Sequence, residues 1–184
     1  EPNPGLYKDV LLFDFRILYP TIIASHNLSG ETFRCKCCAD ASTKVPLEGR
    51  DYWFCSRRKG FLPEMIADLI ERRQRVKEIM KESKSPFLEA RQISLKLLAN
   101  SFYGYLAFNP SRWYSFEAAN STTAFARHYI KNVIDTMTKE GFKVIYGDTD
   151  SVFITVENQS QIELVTNVAK EINKTLPPRK NKEY

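Results

Sequence analysis

Two carboxylates, Asp148 and Asp150, sit in the stretch VIYGDTDSVFI at residues 144–154. Apolar, β-prone arms flank them, Val144–Tyr146 on one side and Val152–Ile154 on the other. A plain hairpin turn takes Asn-Gly or Asp-Gly and no second acid. Two acids at one tip repel each other, and a divalent cation is the simplest compensation. A third acid, Asp14, lies at the end of the apolar run in KDVLLFDF (8–15). If that run is a strand beside the hairpin, Asp14 and Asp150 could bridge two metals about 3.5–4 Å apart. The plain alternative is an Asx turn with solvent-facing acids.

Cations recur at helical spacing in the middle of the chain. GFLPEMIADLIERRQRVKEIM carries Leu62, Met65, Ile66, Leu69, Ile70, Val76, Ile79 and Met80 in a helical pattern, with Pro63 near its start. Arg73 and Lys77 stand where that stripe would continue. After a predicted link over 81–86, PFLEARQISLKLLANSFYGYL predicts a second helix. Its apolar face holds Leu88, Leu95, Leu98 and Phe102; the roughly opposite face holds Gln92, Lys96, Asn100 and Tyr103, and Gly104 sits near its predicted end. Such a helical hairpin could present Arg73, Lys77, Lys96 and Asn100 to one groove, the alternative being solvated charges. Acids that hold metals, with fixed cations that neutralise a polyphosphate, describe phosphoryl or nucleotidyl transfer.

The elements that would position these groups form an α+β pattern. A short strand at 8–15 exits at Pro20, and a polar, Cys-containing insertion without clear periodicity covers 29–60. The helical hairpin follows, then a helix over 116–140 ended by Gly141, the Asp148/Asp150 hairpin, and an amphipathic segment from Gln159 to Lys174. The insertion holds Cys35, Cys37, Cys38 and Cys55. A four-thiolate zinc site, a disulfide to Cys55 and free thiols are the competing readings. C-x-C-C is not the usual C-x-x-C zinc spacing, and adjacent Cys37 and Cys38 on one ion would strain the backbone. With 184 residues, a net charge of +5 and 43% hydrophobic residues, the chain reads as an ordinary, mildly basic globular unit, compatible with a phosphate-rich partner. No apolar run is long enough to span a membrane, and no secretory leader opens the sequence, so a cytoplasmic or nuclear setting is expected.

Three of these stretches, taken in order, resemble the motifs of the family B DNA polymerases. DFRILYPTII (14–23) is similar to motif A, D-x-x-S-L-Y-P-S-I-I; KLLANSFYG (96–104) matches motif B, K-x-x-x-N-S-x-Y-G; and YGDTDS (146–151) matches motif C. ERRQRVK (71–77) resembles the basic helix segment that precedes motif B. GLYKD before motif A and SHNLS after it look most like the archaeal replicative type. The resemblance implies a polymerase palm, an antiparallel sheet with helices on one face, carrying an antiparallel two-helix fingers projection. Residues 1–60 would be the first part of the palm with the insertion, 61–107 the fingers, and 108–184 the second part of the palm. It further implies two-metal transfer of dNTPs to a primer 3′-hydroxyl with two Mg²⁺ ions.

By the same resemblance, Asp14 and Asp150 ligate metal together with the carbonyl of Phe15, and Asp148 supports the site. The amides of Ile17 and Leu18 cradle the triphosphate; Arg73, Lys77 and Lys96 grip it, and Asn100 assists. Tyr19 becomes a steric gate under the sugar, excluding a 2′-hydroxyl, and Tyr103 lines the nascent base pair. Two positions depart from motif A: Ile17 replaces a serine, removing a hydroxyl near the triphosphate, and Thr21 replaces another. Archaeal members can carry a disulfide where the insertion lies, and Cys55 occupies the place of one of its cysteines, with the partner left open among Cys35, Cys37 and Cys38. The implied partners are primer–template DNA, dNTPs, the exonuclease and thumb regions of the same polymerase, and a sliding clamp reached through those regions. Without thumb contacts, weak DNA binding and little processive synthesis are expected of this chain alone. The rival reading is a catalytically silent, polymerase-derived nucleic-acid-binding scaffold.

Overall fold

A computed structural model describes residues 4–83 and 85–175. Its contacts divide the chain into two compact units. Of the described residues, one unit joins those up to Arg16 with 126–175, and the other comprises Ile17–Phe125.

The first unit is built on a three-stranded antiparallel sheet in the order β1-β3-β2, from β1 (Val10–Asp14), β2 (Lys143–Asp148) and β3 (Ser151–Thr155). The predicted strand at 8–15 is thus shorter, with Asp9 at φ 51 before it. Alternation fixes the buried face. Val152 and Ile154 of the central strand are fully buried, and their partners Leu11, Phe13 and Val144 pack on the same core. That core is completed by Val133 and Met137 of α4 (Phe116–Lys139) and by Val165 and Ile172 of α5 (Gln159–Thr175). Each large aliphatic side chain buried there contributes roughly 1.5–3 kcal/mol. The opposite face of the sheet exposes Val10, Leu12 and Tyr146.

Helix α4 stops where the sequence predicts, for an identifiable reason. Gly141 takes φ 86, its amide bonds the Thr138 carbonyl at 3.1 Å, and the Phe142 amide bonds that of Met137 at 3.0 Å. This is the Schellman arrangement, which hands the chain directly to β2.

The second unit packs α1 (Leu18–Ser25) against α2 (Phe61–Glu82) and α3 (Pro86–Ala107), the last two forming the helical hairpin. The link is shorter than predicted, because α2 runs to Glu82 and α3 starts at Pro86. Gly104 does not end α3, which continues three residues further to Ala107. The packed face of α3 is also rotated from the predicted one. Leu98 is 49% exposed, whereas Ala99 and Leu106 are buried and Leu88, Gln92, Leu95 and Phe102 are half-buried. A close helix approach at Ala99 outweighs the larger apolar side chain beside it.

The insertion is not unstructured polar chain. It holds a 3-10 turn (Gly30–Thr32) and two antiparallel bridges, Phe33 to Phe54 and Lys44 to Trp53, over buried Leu28, Val45 and Tyr52. It also supplies the N-terminal cap of α2, whose own Gly60 provides none. Asn27 accepts from the Gly60 amide at 2.8 Å, and the Glu31 carboxylate accepts from the Phe61 amide at 2.6 Å and from the Ser29 hydroxyl. Burial would raise the Glu31 pKa, but bonds from Ser29, its own amide and Phe61, with the charge of Arg58, bring it below the ordinary 4.5. A depressed carboxylate contributes stability that is complete above its unfolded pKa and lost as pH falls through the folded one. Glu31→Gln is therefore expected to cost only about 0.5 kcal/mol at neutral pH, because solvent screens the exposed carboxylate, and the gap closes as pH falls below the ordinary glutamate value. Urea unfolding of both proteins across that pH range measures it; a gap independent of pH would remove the electrostatic account.

Candidate functional site

The strand order answers the question raised by the acids. Asp14 ends β1 and Asp148 ends β2, and both pair with Ser151 at the start of the central strand. Cross-strand partners share a face, so Asp14 and Asp148 flank Ser151 on the face opposite the core. Asp150 lies in the two-residue turn between β2 and β3, and its carbonyl accepts the Phe15 amide at 2.8 Å. That bond ties the turn to the end of β1. All three predicted acids, with Phe15, thus gather at one end of one sheet.

A β-bulge makes this possible. Val144 pairs with Ile154 but Tyr146 pairs with Phe153, leaving Ile145 as the extra residue. In an unbroken register Gly147 would face Ser151 and Asp148 would fall in the loop. The bulge advances the strand by one residue and aims Asp148 at the sheet end. Thr149 then turns the chain at φ 47, a left-handed conformation that costs a β-branched residue about 1–2 kcal/mol. Its hydroxyl donates to Asp148 Oδ1 at 3.0 Å, occupying one carboxylate oxygen. Asp14 and Asp148 are exposed and Asp150 is half-buried. Exposed carboxylates with a nearby backbone carbonyl are hard oxygen donors, the set that suits Mg²⁺ rather than a softer metal.

The remaining predicted residues belong to the second unit. Ile17 precedes α1 with φ 53 and ψ 57, left-handed, and no side chain caps the helix. A left-handed residue followed by a helical one turns successive amides into one concavity, an anion nest, here built from the N–H groups of Ile17 and Leu18. An isoleucine in that conformation is strained, and the first turn is closed by the Thr21 amide on the Ile17 carbonyl at 3.0 Å. Tyr19 of α1 meets Tyr103 of α3 with ring centroids 4.5 Å apart. Arg73 of α2 donates from Nε to Gln92 Oε1 of α3 at 3.2 Å, so the two helices are joined by a polar bond at that level. Lys77, Lys96 and Asn100 are exposed.

Sequence reasoning missed how the cysteines assemble. The Sγ atoms of Cys35, Cys37, Cys38 and Cys55 all lie within 4.8 Å of one another, and all four are free thiols. Adjacency of Cys37 and Cys38 does not prevent this: their sulfurs are 3.7 Å apart, and none of the four residues has positive φ. Cys35 and Cys38 also stand at C-x-x-C spacing, a signal present in the sequence that the C-x-C-C reading passed over. Hydrogen bonds, first from Ser42 and then from Ser56, hold the Cys38 thiol down at about 5, while bonding to the other sulfurs, Cys55 first, pushes Cys37 up to about 12. A cleft of about 760 Å³ opens nearby between Ala24–Asn27, Cys55–Lys59 and the start of α2. None of the predicted nucleotide-binding residues lines it. Among the described residues, no helix is long and apolar enough to cross a membrane.

The sequence pattern of DNA polymerase family B matches residues 1–183. The DNA polymerase of Thermococcus gorgonarius is 42% identical over 193 aligned residues, covering 100% of this chain and 24% of that protein. DNA polymerase 1 of Pyrococcus abyssi (strain GE5 / Orsay) is 39% identical over 191 residues, again covering 100% of the chain and 24% of the relative. Among solved structures, the family B DNA polymerase from the hyperthermophilic archaeon Pyrobaculum calidifontis matches with a TM-score of 0.73 at 37% identity, over 94% of this chain and 23% of that one. The chain thus spans about a quarter of the length of these relatives.

Proposed function

Since the chain belongs to DNA polymerase family B and is most similar in type to the archaeal replicative enzymes, we propose that it is their palm and fingers part, which adds dNTPs to a primer 3′-hydroxyl. The observation that carries this reading is the convergence of Asp14, Asp148 and Asp150 on one end of the β1-β3-β2 sheet. In this reading the palm comprises residues 1–60 and 108–184, and the fingers are residues 61–107.

Asp14, Asp150 and the Phe15 carbonyl would hold two Mg²⁺ ions, which supply Lewis-acid polarisation of the reacting phosphate and a more acidic primer hydroxyl. Asp148, with one oxygen taken by Thr149, orients the turn and lends negative charge. The nest of Ile17 and Leu18 amides binds oxygens of the triphosphate tail without any side-chain hydroxyl, so the serine missing at position 17 costs no contact of that kind. Lys96, with Arg73 and Lys77 on the neighbouring helix, neutralises charge that builds on the departing pyrophosphate, and Asn100 assists as a neutral hydrogen-bond donor. Tyr19 sets the preference for deoxyribose, and Tyr103, in contact with its ring, supports it from α3.

Primer–template DNA and dNTPs are the substrates this reading assigns. Its test is addition of a single nucleotide to a labelled primer in Mg²⁺ by the chain, with the other regions of the polymerase supplied in trans where needed. Product that disappears in Asp14→Ala is the expected result. Equal product from both proteins would remove Asp14 from the chemistry, and none from either in the complete assembly would favour the silent scaffold.

A further inference from the structure

We infer that Cys35, Cys37, Cys38 and Cys55 bind one Zn²⁺ as a closed four-thiolate site that secures the entry of the chain into α2.

The sulfur positions carry this. A tetrahedral zinc with Zn–S bonds of about 2.3 Å holds its sulfurs about 3.8 Å apart. Here Cys37 and Cys38 are separated by 3.7 Å, Cys38 and Cys55 by 3.6 Å, Cys37 and Cys55 by 3.5 Å, and Cys35 and Cys38 by 3.0 Å. A disulfide would single out one pair and turn the other two sulfurs away. Instead Cys38 contacts all three of the others; Cys35 is its nearest neighbour at 3.0 Å, yet Cys37 and Cys55 stay in contact with it and with each other rather than turning away. Four sulfurs, with no water position among the ligands, make a structural site rather than a catalytic one.

The surroundings suit thiolates. The Ser56 amide and the Ser42 hydroxyl each donate to Cys38 Sγ at 3.3 Å, and the Arg58 amide donates to Cys55 Sγ at 3.3 Å. Donors of this kind orient metal-bound sulfur and spread its charge. Four thiolates on a dication leave two negative charges, and Lys36, Arg57, Arg58 and Lys59 adjoin the ligands in sequence to offset them. The ligands come from two separate segments, three (Cys35, Cys37 and Cys38) from one loop and one (Cys55) from the end of a bridge-paired stretch. The unfolded chain does not hold the four sulfurs together, so the energy of binding an ion across that loop becomes folding energy.

The site reaches α2 through Asn27. The Asn27 side chain donates to the carbonyls of Cys55 at 2.7 Å and Arg58 at 2.8 Å, and it accepts from the Gly60 amide, one residue before the helix. A shift of Cys55 therefore moves the N-terminal cap of α2. Gly60 has no room to adapt, since a Cβ there would lie 2.9 Å from Ser29 Cβ and 3.0 Å from Thr32 Cγ2.

The inference stands apart from nucleotide transfer, and its test reads metal and stability rather than synthesis. The chain, purified without chelators, is expected to contain about one zinc. Denatured without reductant it should yield four titratable thiols once the zinc is captured by a chromogenic chelator. Exchange with Co²⁺ should give sulfur-to-cobalt charge-transfer absorption and intense tetrahedral d–d bands, weakened at least tenfold in affinity by Cys37→Ser, whose exposed side chain makes that variant the one best able to fold. Removing zinc should lower the melting midpoint by several degrees. Missing thiols before reduction would establish a disulfide and overturn the site. A pale octahedral cobalt spectrum would overturn thiolate ligation. Thiolate bands with an unchanged melting midpoint would overturn the anchoring of α2.

Discussion

Asp150→Ala is expected to lower single-nucleotide incorporation by about a thousandfold or more, while Asp148→Ala lowers it by only about tenfold. The two acids differ in place, not in type. Asp150 sits in the turn that the Phe15 amide pins to the end of β1, beside Asp14 at the edge of the sheet. Asp148 is a strand residue whose Oδ1 already accepts the Thr149 hydroxyl. Removing a metal-holding carboxylate forfeits several kcal/mol of transition-state stabilisation, and removing a supporting one forfeits an orientation. Single-turnover extension at saturating dNTP and Mg²⁺ separates them. Equal losses in the two variants would mean that the roles are shared, and equal activity with the unaltered protein would end the nucleotidyl-transfer reading.

Tyr19→Ala is expected to let ribonucleotides in, reducing discrimination against the 2′-hydroxyl by about a hundredfold, whereas Tyr19→Phe keeps it. As the proposed gate the ring would act through its bulk, and its neighbour Tyr103, with ring centroids 4.5 Å apart, restricts where it can go. Loss of that ring pair also costs about 0.5–1.5 kcal/mol of stability. The comparison that matters is the ratio of kcat/KM for dNTP and rNTP, measured beside the melting midpoint. A lower midpoint with an unchanged ratio would make Tyr19 an ordinary packing residue.

Some of this structure was legible in the residues and some was not. Helix α4 and its stop at Gly141 follow from an apolar period and a glycine that can adopt positive φ, both local properties. Local reading also found α5 and the arms of the Asp148/Asp150 hairpin. It could not place Asp14 beside that hairpin, because nothing within either segment encodes the pairing of β1 with β3. The bulge at Ile145 was equally hidden, since one extra residue in a β-prone arm changes neither composition nor alternation enough to notice. On α3 the period was right and three of the four predicted face residues, Leu88, Leu95 and Phe102, lie on the packed side, but Leu98 is exposed and helix packing took the small Ala99 in its place. The cysteine cluster shows the reverse error, where a local rule about adjacent ligands argued against an arrangement that the loop geometry permits.

The position of β3 between β1 and β2 also bears on how the protein comes to be folded. Among the described residues, the strand neighbour of β1 is β3, which is synthesised after Ile17–Phe125 of the second unit. Until Ser151–Thr155 emerges, the β3-facing edge of Val10–Asp14 waits for that strand while the intervening helices form. Helical segments with local contacts assemble quickly, whereas a pairing of such long sequence separation is slow and leaves a strand edge open meanwhile. The acidic end of the sheet therefore comes into register only after α1, α2, α3 and α4, which lie between its strands in the sequence, have been made.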